Sequence, residues 1–333
     1  MELPEKPLDS DCCGSGCTPC VFDVYEELLA KWKVSSKTSN IAPEKLRLRT
    51  DLLSVLKYKP YKLLEIETVT ENANIYTFIP LLTEEDEDKE EAGQAEEKTM
   101  VNEIEGILPY EPGQHFVLIN CKPDKHTTNE QKTKLSRCYT PISVAQNEPN
   151  CRVRFLIKLY ENGAMSRHIS RLNINHVMYM RGAFGDFRHH RRRPPGDDSA
   201  AYIFICAGTG IAPVYAIVKS ILQDDSDETT IRLLFTCRTL NEIYFRNEIR
   251  EFCKFWNFTA RIYVSDKETG LAGVKHDEDI QFARISKEII FNEVSSRCLN
   301  NCKVLICGSS SFNEDIASYA RQSGVSEDNL FVF

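Results

Sequence analysis

The stretch Tyr202-Ile-Phe-Ile-Cys-Ala-Gly-Thr-Gly-Ile-Ala-Pro213 decides the fold of the second half of this chain. Its first five residues form an apolar run typical of a buried strand, and a glycine-containing turn and an apolar helical pattern follow. This order of strand, turn and helix lets backbone amides approach the pyrophosphate of a dinucleotide. The alternative is a tight turn between a strand and a helix that binds no ligand.

The same alternation of strand and helix continues beyond this stretch. Strands are predicted at 231–236, 260–264 and 303–307, and helices at 213–222 and 247–255. Alternation of this kind predicts βαβ units on a parallel sheet. We therefore place an α/β domain at residues 197–333.

The preceding part of the chain is rich in predicted strands. Apolar runs at 61–66, 116–119 and 153–160 are separated by turn residues, which predicts a β domain at residues 55–190. Residues 84–98 interrupt it with nine acidic and two basic residues, a composition that predicts a disordered insertion between two strands. Most of the net charge of −8 comes from this insertion, so nucleic-acid binding has no electrostatic support elsewhere in the chain.

The sequence shows no pattern typical of a signal peptide, a lipid anchor or a membrane-spanning helix. Its 13 cysteines occur without a signal-peptide pattern, and Glu2 excludes N-myristoylation. An apolar run of about 18 residues, the length a membrane-spanning helix needs, does not occur. We therefore predict a cytoplasmic protein without a transmembrane segment, in which most cysteines are not paired as disulfides.

A second motif, Arg137-Cys-Tyr-Thr-Pro-Ile-Ser143, follows a Pro112-Gly-Gln-His115 turn. A guanidinium binds a pyrophosphate through two charge-assisted hydrogen bonds, a flat aromatic ring lies against a fused ring system, and a hydroxyl binds the reactive edge of that system. Downstream, Gly163-Ala-Met-Ser166 opens a predicted helix whose amides form an anion site. Each motif alone could be a chance tripeptide in a strand or an ordinary helix cap, but their order favours a cofactor site.

The Arg-x-Tyr-Thr-x-x-Ser pattern after a Pro-Gly-Gln turn resembles the FAD signature of the ferredoxin-reductase superfamily, and the chain is most similar to its NADH–cytochrome b5 reductase branch. The resemblance covers residues 55 to 333. It implies a β + α/β fold, in which an antiparallel six-stranded FAD-binding barrel is followed by a parallel-sheet pyridine-nucleotide-binding domain, with the active site in the cleft between them. The FAD contacts it implies are Arg137, Tyr139, Thr140, Ser143, Lys158, Tyr160, Gly163, Met165 and Ser166.

The chain departs from the family pattern at several positions. Gly182-Ala-Phe-Gly-Asp-Phe187 resembles the turn that closes the family's barrel, but Ala183 and Cys138 replace prolines. In the nucleotide turn, Ala207 replaces the first glycine, which is tolerable if its φ is negative. Cys307-Gly-Ser-Ser-Ser-Phe312 resembles the family's Cys-Gly-Pro-Pro-Pro-Met, whose cysteine lies beside the nicotinamide; a buried, inert cysteine is the alternative.

The resemblance also implies which residues meet the nicotinamide nucleotide. These are Gly208, Thr209, Gly210, Pro213, Glu242, Cys307, Gly308 and Phe333, although simple hydrophobic docking would also explain Phe333. Catalytic roles are implied for Thr140, at the flavin N5, and for Cys307, against the nicotinamide. Glu242 disfavours the 2′-phosphate of NADPH, whereas Arg238 could pair with that phosphate; we predict NADH and leave NADPH open.

The stretch Asp11-Cys-Cys-Gly-Ser-Gly-Cys-Thr-Pro-Cys20 resembles a short oxidoreductase-like N-terminal module, which we place at residues 1–50. Three interpretations of its cysteines stay open: a zinc site, an iron–sulfur cluster or redox-active thiol pairs. The candidate metal ligands are Cys12, Cys13, Cys17 and Cys20.

The predicted function is that of an NADH–cytochrome b5 reductase-like flavoprotein, which transfers a hydride from NADH to FAD and then single electrons to an acceptor such as cytochrome b5. A basic face at Arg181, Arg188 and 191–193 would favour an acidic acceptor, although a solvated charged loop is the alternative. Two other functions stay open. The chain could be a catalytically reduced flavoprotein scaffold or sensor, or a metal-binding interaction protein that acts through its N-terminal cysteines.

Overall fold

The computed structural model describes residues 51–82, 106–120, 135–189, 201–266, 273–295 and 302–333, together with residues 25, 26, 29 and 49. The four cysteines of the predicted N-terminal module and the acidic insertion at 84–98 lie outside the described residues. The predictions made for them therefore stay predictions.

The chain divides into two compact units. The first comprises Met1–Glu67 and Ile75–Gly185. The second comprises Asp186–Phe333 together with Thr68–Asn74, the turn region between the first two strands.

The first unit is a six-stranded antiparallel sheet. Its elements are β1 (Lys59–Thr70), β2 (Ala73–Pro80), β3 (His115–Ile119), β4 (Ser136–Tyr139), β5 (Val153–Lys158), the helix α1 (Ala164–Ile169) and β6 (Val177–Phe184). The strand order is β4-β3-β6-β1-β2-β5. Just after β4, Pro141 forms an antiparallel bridge with Phe155 of β5, and the Ile142 amide donates to the Arg154 carbonyl at 2.9 Å. Because β4 and β5 are the two edges of the sheet, this bridge closes it, and the predicted barrel is confirmed.

The core of the barrel follows from the two-residue period of its strands. In β3, Phe116 and Leu118 are fully buried, whereas His115 and Val117 between them are half-buried. The ring of Phe116 packs edge-on against Phe155, with ring centroids 5.7 Å apart. Burying a side chain of this size stabilises the fold by about 1.5–3 kcal/mol. Phe116 and Leu118 therefore lie on the inner face of β3, and Ile119 at the end of the strand is buried as well.

The second unit is a six-stranded parallel sheet with helices. Its elements are β7 (Ala201–Ala207), α2 (Ile211–Leu222), β8 (Thr230–Cys237), α3 (Arg246–Phe252), β9 (Phe258–Val264), β10 (Ile280–Gln281), α4 (Lys287–Ser295), β11 (Cys302–Cys307), α5 (Ser310–Gln322) and β12 (Leu330–Val332). The predicted α/β fold is confirmed.

The strand order of this sheet is β10-β9-β8-β7-β11-β12. From β7 the chain runs outward through β8, β9 and β10, and then returns to the other side of β7 with β11. The carboxyl ends of β7 and β11 therefore flank the point at which the strand order reverses, where open α/β sheets bind ligands. Both of the glycine motifs predicted from the sequence follow these two strands.

Within the described residues, no helix combines the length and the apolar character needed to cross a membrane.

Candidate active site

The turn after β7 combines an extended residue with a left-handed one. Ala207 has φ −127° and ψ 131°, so the alanine in place of the first glycine causes no backbone strain. Gly208 has φ +53°, a conformation that glycine adopts without a steric cost. Among the described residues, no heavy atom lies within 4 Å of a Cβ placed on Gly208. The turn is therefore open on the side where its backbone is exposed.

Gly210 is in the opposite situation, because it packs against the end of β11. A Cβ placed on Gly210 would lie 2.2 Å from the Cys307 carbonyl oxygen and 3.0 Å from the Gly308 amide nitrogen. No real side chain tolerates the first distance. The two predicted nucleotide motifs, which are far apart in the sequence, are therefore held in backbone contact at the switch point.

The helices that follow these two motifs begin differently. Gly208–Gly210 is a short 3₁₀ helix that runs directly into α2; within the described chain no side chain caps either helix, and neither first turn has an acidic residue. In contrast, Ser309 caps α5 and accepts a hydrogen bond from the Phe312 amide at 3.4 Å. Pro213 lies in the first turn of α2, where a missing N–H costs nothing. The Ile211 amide donates back to the Gly208 carbonyl, so the amides of Gly208, Thr209 and Gly210, which begin the helical segment, are the better site for a pyrophosphate.

Cys307 ends β11 in register with Cys206, the residue before the nucleotide turn. Burial raises the pKa of the Cys307 thiol to about 12 and raises the pKa of Cys206 well above its usual value. Both thiols are therefore protonated at neutral pH, and Cys307 is unsuited to act as a thiolate nucleophile. It presents a small uncharged group at the mouth of the switch point.

Glu242 ends a short 3₁₀ helix, Leu240–Glu242, which follows β8. The glutamate is half-buried and Arg238, four positions earlier, is exposed. Burial and the charge of Glu242 both raise the pKa of Cys237, which reaches about 12. The carboxyl group of Glu242 therefore lies in the segment that follows the carboxyl end of β8.

Phe333 follows β12 and belongs to an aromatic cluster within the second unit. Its amide donates to the Ile306 carbonyl at 2.9 Å, and its ring centroid lies 5.5 Å from Phe187 and 5.0 Å from Phe331. These contacts match the hydrophobic-docking alternative. A contact of Phe333 with a cofactor ring stays a prediction.

In the first unit, the predicted FAD signature begins on β4. Arg137 is exposed, and one of its guanidinium nitrogens donates to the Ser136 carbonyl at 2.7 Å. Tyr139 pairs with Phe116 and packs against the barrel core. Its burial raises the pKa of its phenol strongly, although the charge of Arg137 opposes this, so the ring is neutral. Thr140, the next residue, is half-buried.

Ser143 is turned into the protein. It is 1 % exposed, and its hydroxyl is hydrogen-bonded to the Tyr110 hydroxyl, with 2.8 Å between the oxygens. The same hydroxyl accepts from the Arg154 amide at 3.1 Å. Tyr110 was not predicted as a site residue, since nothing in a spacing of 33 residues signals this contact. The hydroxyl of Ser143 therefore braces the signature rather than facing solvent.

The helix α1 begins as the Gly163-Ala-Met-Ser166 motif predicts. Within the described chain no side chain caps it, and the Ser166 hydroxyl instead accepts from the Tyr160 amide at 3.0 Å. A Cβ on Gly163 would lie 2.7 Å from that hydroxyl oxygen, so the motif closes only around glycine. Met165 is buried in the barrel core, which leaves its amide as the group that could meet a ligand.

These features fit FAD. The uncapped start of α1 and the exposed guanidinium of Arg137 match the charge of its pyrophosphate. Tyr160 is 60 % exposed and offers a flat ring. Lys158, two positions earlier at the end of β5, is half-buried. The bridge between Pro141 and Phe155 brings the segment that contains Arg137 beside β5.

The assignment of Arg181 to the predicted basic face is wrong. Arg181 was assigned to an exposed basic docking face, but it is only 7 % exposed. Its guanidinium carbon lies 5.0 Å from the centre of the Tyr58 ring and 5.8 Å from that of Phe184. The cation is held by aromatic faces within the first unit. Residues 191–193 of the same predicted face lie outside the described residues, and Arg188 donates to the Phe187 carbonyl at 2.8 Å.

Comparison with known protein families gives three matches. The oxidoreductase FAD-binding domain matches residues 99–189, the oxidoreductase NAD-binding domain matches residues 204–318, and the oxidoreductase-like protein N-terminal family matches residues 2–40.

Among curated proteins, the chain is 30% identical over 347 residues to the NADH-cytochrome b5 reductase-like protein of Homo sapiens, covering 100% of this chain and 95% of the relative. The Mus musculus protein of the same description is 28% identical over 338 residues. Among solved structures, the cytochrome b5 reductase domain of Ulva prolifera nitrate reductase matches with a TM-score of 0.62 at 19% identity, over 85% of this chain and 99% of that domain. The CS-b5R domains of human Ncb5or match with the same TM-score and identity, over 89% of this chain and 76% of that one.

Proposed function

Since the chain belongs to the NADH-cytochrome b5 reductase-like family of FAD- and NAD-dependent oxidoreductases, we propose that it transfers a hydride from NADH to FAD and then single electrons to an acceptor such as cytochrome b5. The observation that carries the proposal is the contact between the Gly210 turn and the end of β11. It gathers an open glycine turn, an uncapped helix start and a neutral thiol at one switch point, which is the set of groups that a nicotinamide nucleotide needs.

In the second unit, the backbone does most of the binding. The amides of Gly208, Thr209 and Gly210 bind the nucleotide pyrophosphate, because within the described chain no side chain caps them and they begin the helical segment that continues into α2. Cys307 then lies against the nicotinamide as an uncharged group. Its raised pKa keeps it from competing as a nucleophile or as a charge beside the reacting ring.

In the first unit, Arg137 and the amides of α1 bind the FAD pyrophosphate, while Tyr139 and Thr140 meet the flavin ring. The chemistry that FAD supplies when bound is acceptance of a hydride and release of its two electrons one at a time. Thr140 acts as a catalytic residue by offering a hydroxyl to the N5 edge. The protein side chains hold the reacting groups in place and exclude water. No protein acid or base is required for this step.

NADH is the preferred donor in this proposal, because the carboxylate of Glu242 follows β8, where a dinucleotide's adenosine ribose lies in this class of sheet. NADPH remains the second candidate through the exposed Arg238. The scaffold alternative depended partly on Ala207, and the extended backbone of that residue removes this objection to nucleotide binding. Metal binding by Cys12, Cys13, Cys17 and Cys20, and a cytoplasmic location, stay predictions.

An anaerobic visible spectrum of the purified chain tests the proposal. We expect a flavin band at ~450 nm that is lost when stoichiometric NADH is added, and we expect electron transfer to cytochrome b5 when that protein is added next. A flavin band that neither NADH nor NADPH changes would contradict the reductase function. Bleaching without reduction of cytochrome b5 would keep the reductase and exclude that acceptor.

A further inference from the structure

A polar cavity of about 390 Å³ lies in the second unit, at the carboxyl end of β8. One wall is formed by Thr239, Asn241 and Glu242, and the other by Thr70, Glu71 and Asn72. We refer to it as the β8 cavity. The second wall belongs to the segment Thr68–Asn74, which clusters with this unit although it is distant in sequence.

The position of the β8 cavity relates it to the nucleotide turn. β8 lies next to β7, and the two strands pair in parallel from Ala201 to Ala207. Their carboxyl ends therefore meet at one edge of the sheet. When a dinucleotide's pyrophosphate lies at the turn after the first strand of such a sheet, its adenosine ribose lies beyond the end of the second.

The chemistry of the β8 cavity fits a diol. Among the described residues that line it, two are carboxylates and none is basic. Carboxylates accept hydrogen bonds from both hydroxyls of a ribose, and the threonine and asparagine side chains can either donate or accept. A 2′-phosphate would instead bring its negative charge between Glu71 and Glu242, where the repulsion of two like charges adds.

We propose that Glu71, on the second wall of the β8 cavity, is a second specificity-determining carboxylate, which acts with Glu242 beside the adenosine ribose of the nicotinamide dinucleotide to favour NADH over NADPH. This inference rests on the proposed function of the second unit as the nucleotide site. It assigns part of the cofactor preference to a turn outside the α/β sequence, 171 positions before Glu242.

The test uses Glu71→Gln, which removes the charge and keeps the shape, in the FAD-loaded full chain. Its matched control is Glu65→Gln, an exposed glutamate on β1 outside the β8 cavity. We expect Glu71→Gln to tighten NADP⁺ binding by about fivefold, the effect of removing one like charge near a phosphate in a wet site. NAD⁺ binding should change by less than about twofold, because the amide oxygen still accepts from a hydroxyl. Glu65→Gln should leave both affinities unchanged.

Salt dependence separates a charge effect from a structural one. Salt screens the repulsion between Glu71 and the 2′-phosphate in the unsubstituted chain. The gain in NADP⁺ affinity from Glu71→Gln should therefore become smaller as the ionic strength rises. If Glu71→Gln and Glu65→Gln give the same ratio of NADP⁺ to NAD⁺ affinity at low salt, the role of Glu71 is overturned while the proposed function stands. If the unsubstituted chain binds neither nucleotide, both are overturned.

Discussion

The second unit holds its predicted nucleotide turn in place by backbone contact, whereas the first holds the predicted FAD signature from Arg137 to Ser143 through the side-chain hydroxyl of Ser143. Gly210 lies against the Cys307 carbonyl so closely that any side chain would separate the two loops. In the first unit, the signature from Arg137 to Ser143 is held by the hydroxyl of Tyr110 and the amide of Arg154. A site built from backbone contact should fail when atoms are added to it, and one built from side-chain hydrogen bonds should fail when atoms are removed.

The largest expected effect tests the backbone-built site. Gly210→Ala should lower kcat/KM for NADH by about 100-fold, because overpacking against backbone costs about 1–3 kcal/mol and displaces the start of α2. Bound FAD should remain, since its predicted contacts lie in the other unit. The measurement is stopped-flow reduction of the flavin by NADH.

Gly208→Ala is the matched control for that variant, two positions earlier in the same turn. A Cβ there meets open space, so only the left-handed backbone, at about 1–2 kcal/mol, opposes the alanine. We expect a loss of about five- to thirtyfold, following from that cost. Equal losses in the two variants would contradict the idea that close contact with β11 is what Gly210 provides.

An intermediate effect tests the site built from side chains. Tyr110→Phe removes one hydroxyl and should weaken FAD binding by about fivefold, because Ser143 loses a partner that holds the signature in place. The control is Tyr61→Phe, another fully buried tyrosine of the same barrel, whose hydroxyl donates to the Leu52 carbonyl at 2.8 Å.

Both tyrosine variants should lose a similar free energy of unfolding, about 1 kcal/mol for one buried hydrogen bond. Only Tyr110→Phe should also change the FAD dissociation constant and the shape of the flavin absorption band. If FAD affinity follows stability alone in the two variants, Tyr110 has no positioning role.

The smallest expected effect concerns the protonation of Cys307. Its thiol has a pKa of 9.0 in the reference state and about 12 in the folded chain. Above a pH of about 9, the unfolded state therefore loses this proton first, and stability falls as the pH rises toward about 12. Between pH ~8 and ~10, the chain should lose about 1 kcal/mol more of its free energy of unfolding than Cys307→Ser does.

Urea unfolding at the two pH values measures this difference. Cys138→Ser is the control, because Cys138 is exposed on β4 and its removal should not alter the pH dependence. A pH dependence that is the same with and without Cys307 would show that the pKa of its thiol is not raised in the folded chain.

Much of this fold can be predicted because its main strands carry their own signals. The apolar runs at 202–206 and 116–119 are local patterns, and each lies within the strand that was predicted from it. In contrast, β10 has two residues and β12 has three, which is too short for any periodicity. These edge strands form because a neighbour already supplies hydrogen-bonding groups.

The sequence predicts the ligand-binding motifs better than it predicts the residues that hold these motifs in place. The glycine turn and the Arg137 motif have fixed local spacing, but the partner of Ser143 lies 33 positions away. Arg181 of β6 was assigned to the surface because it is charged. The sequence gives no sign that the rings of Tyr58 and Phe184 cover its guanidinium group. Contacts between distant segments can be identified only once the fold is known. The wall of the β8 cavity that contains Glu71 is another such contact.

The pairing of β7 with β11 has a consequence for biogenesis. Residues 201–207 emerge from the ribosome well before residues 302–307, yet β7 lies between β8 and β11 in the finished sheet. Until β11 has been synthesised, one edge of β7 is unpaired, and a buried apolar strand with an open edge is a template for aggregation. Nascent chains stalled before residue 302 should therefore depend on chaperones more strongly than those released after it, and the nucleotide turn becomes competent only late in synthesis.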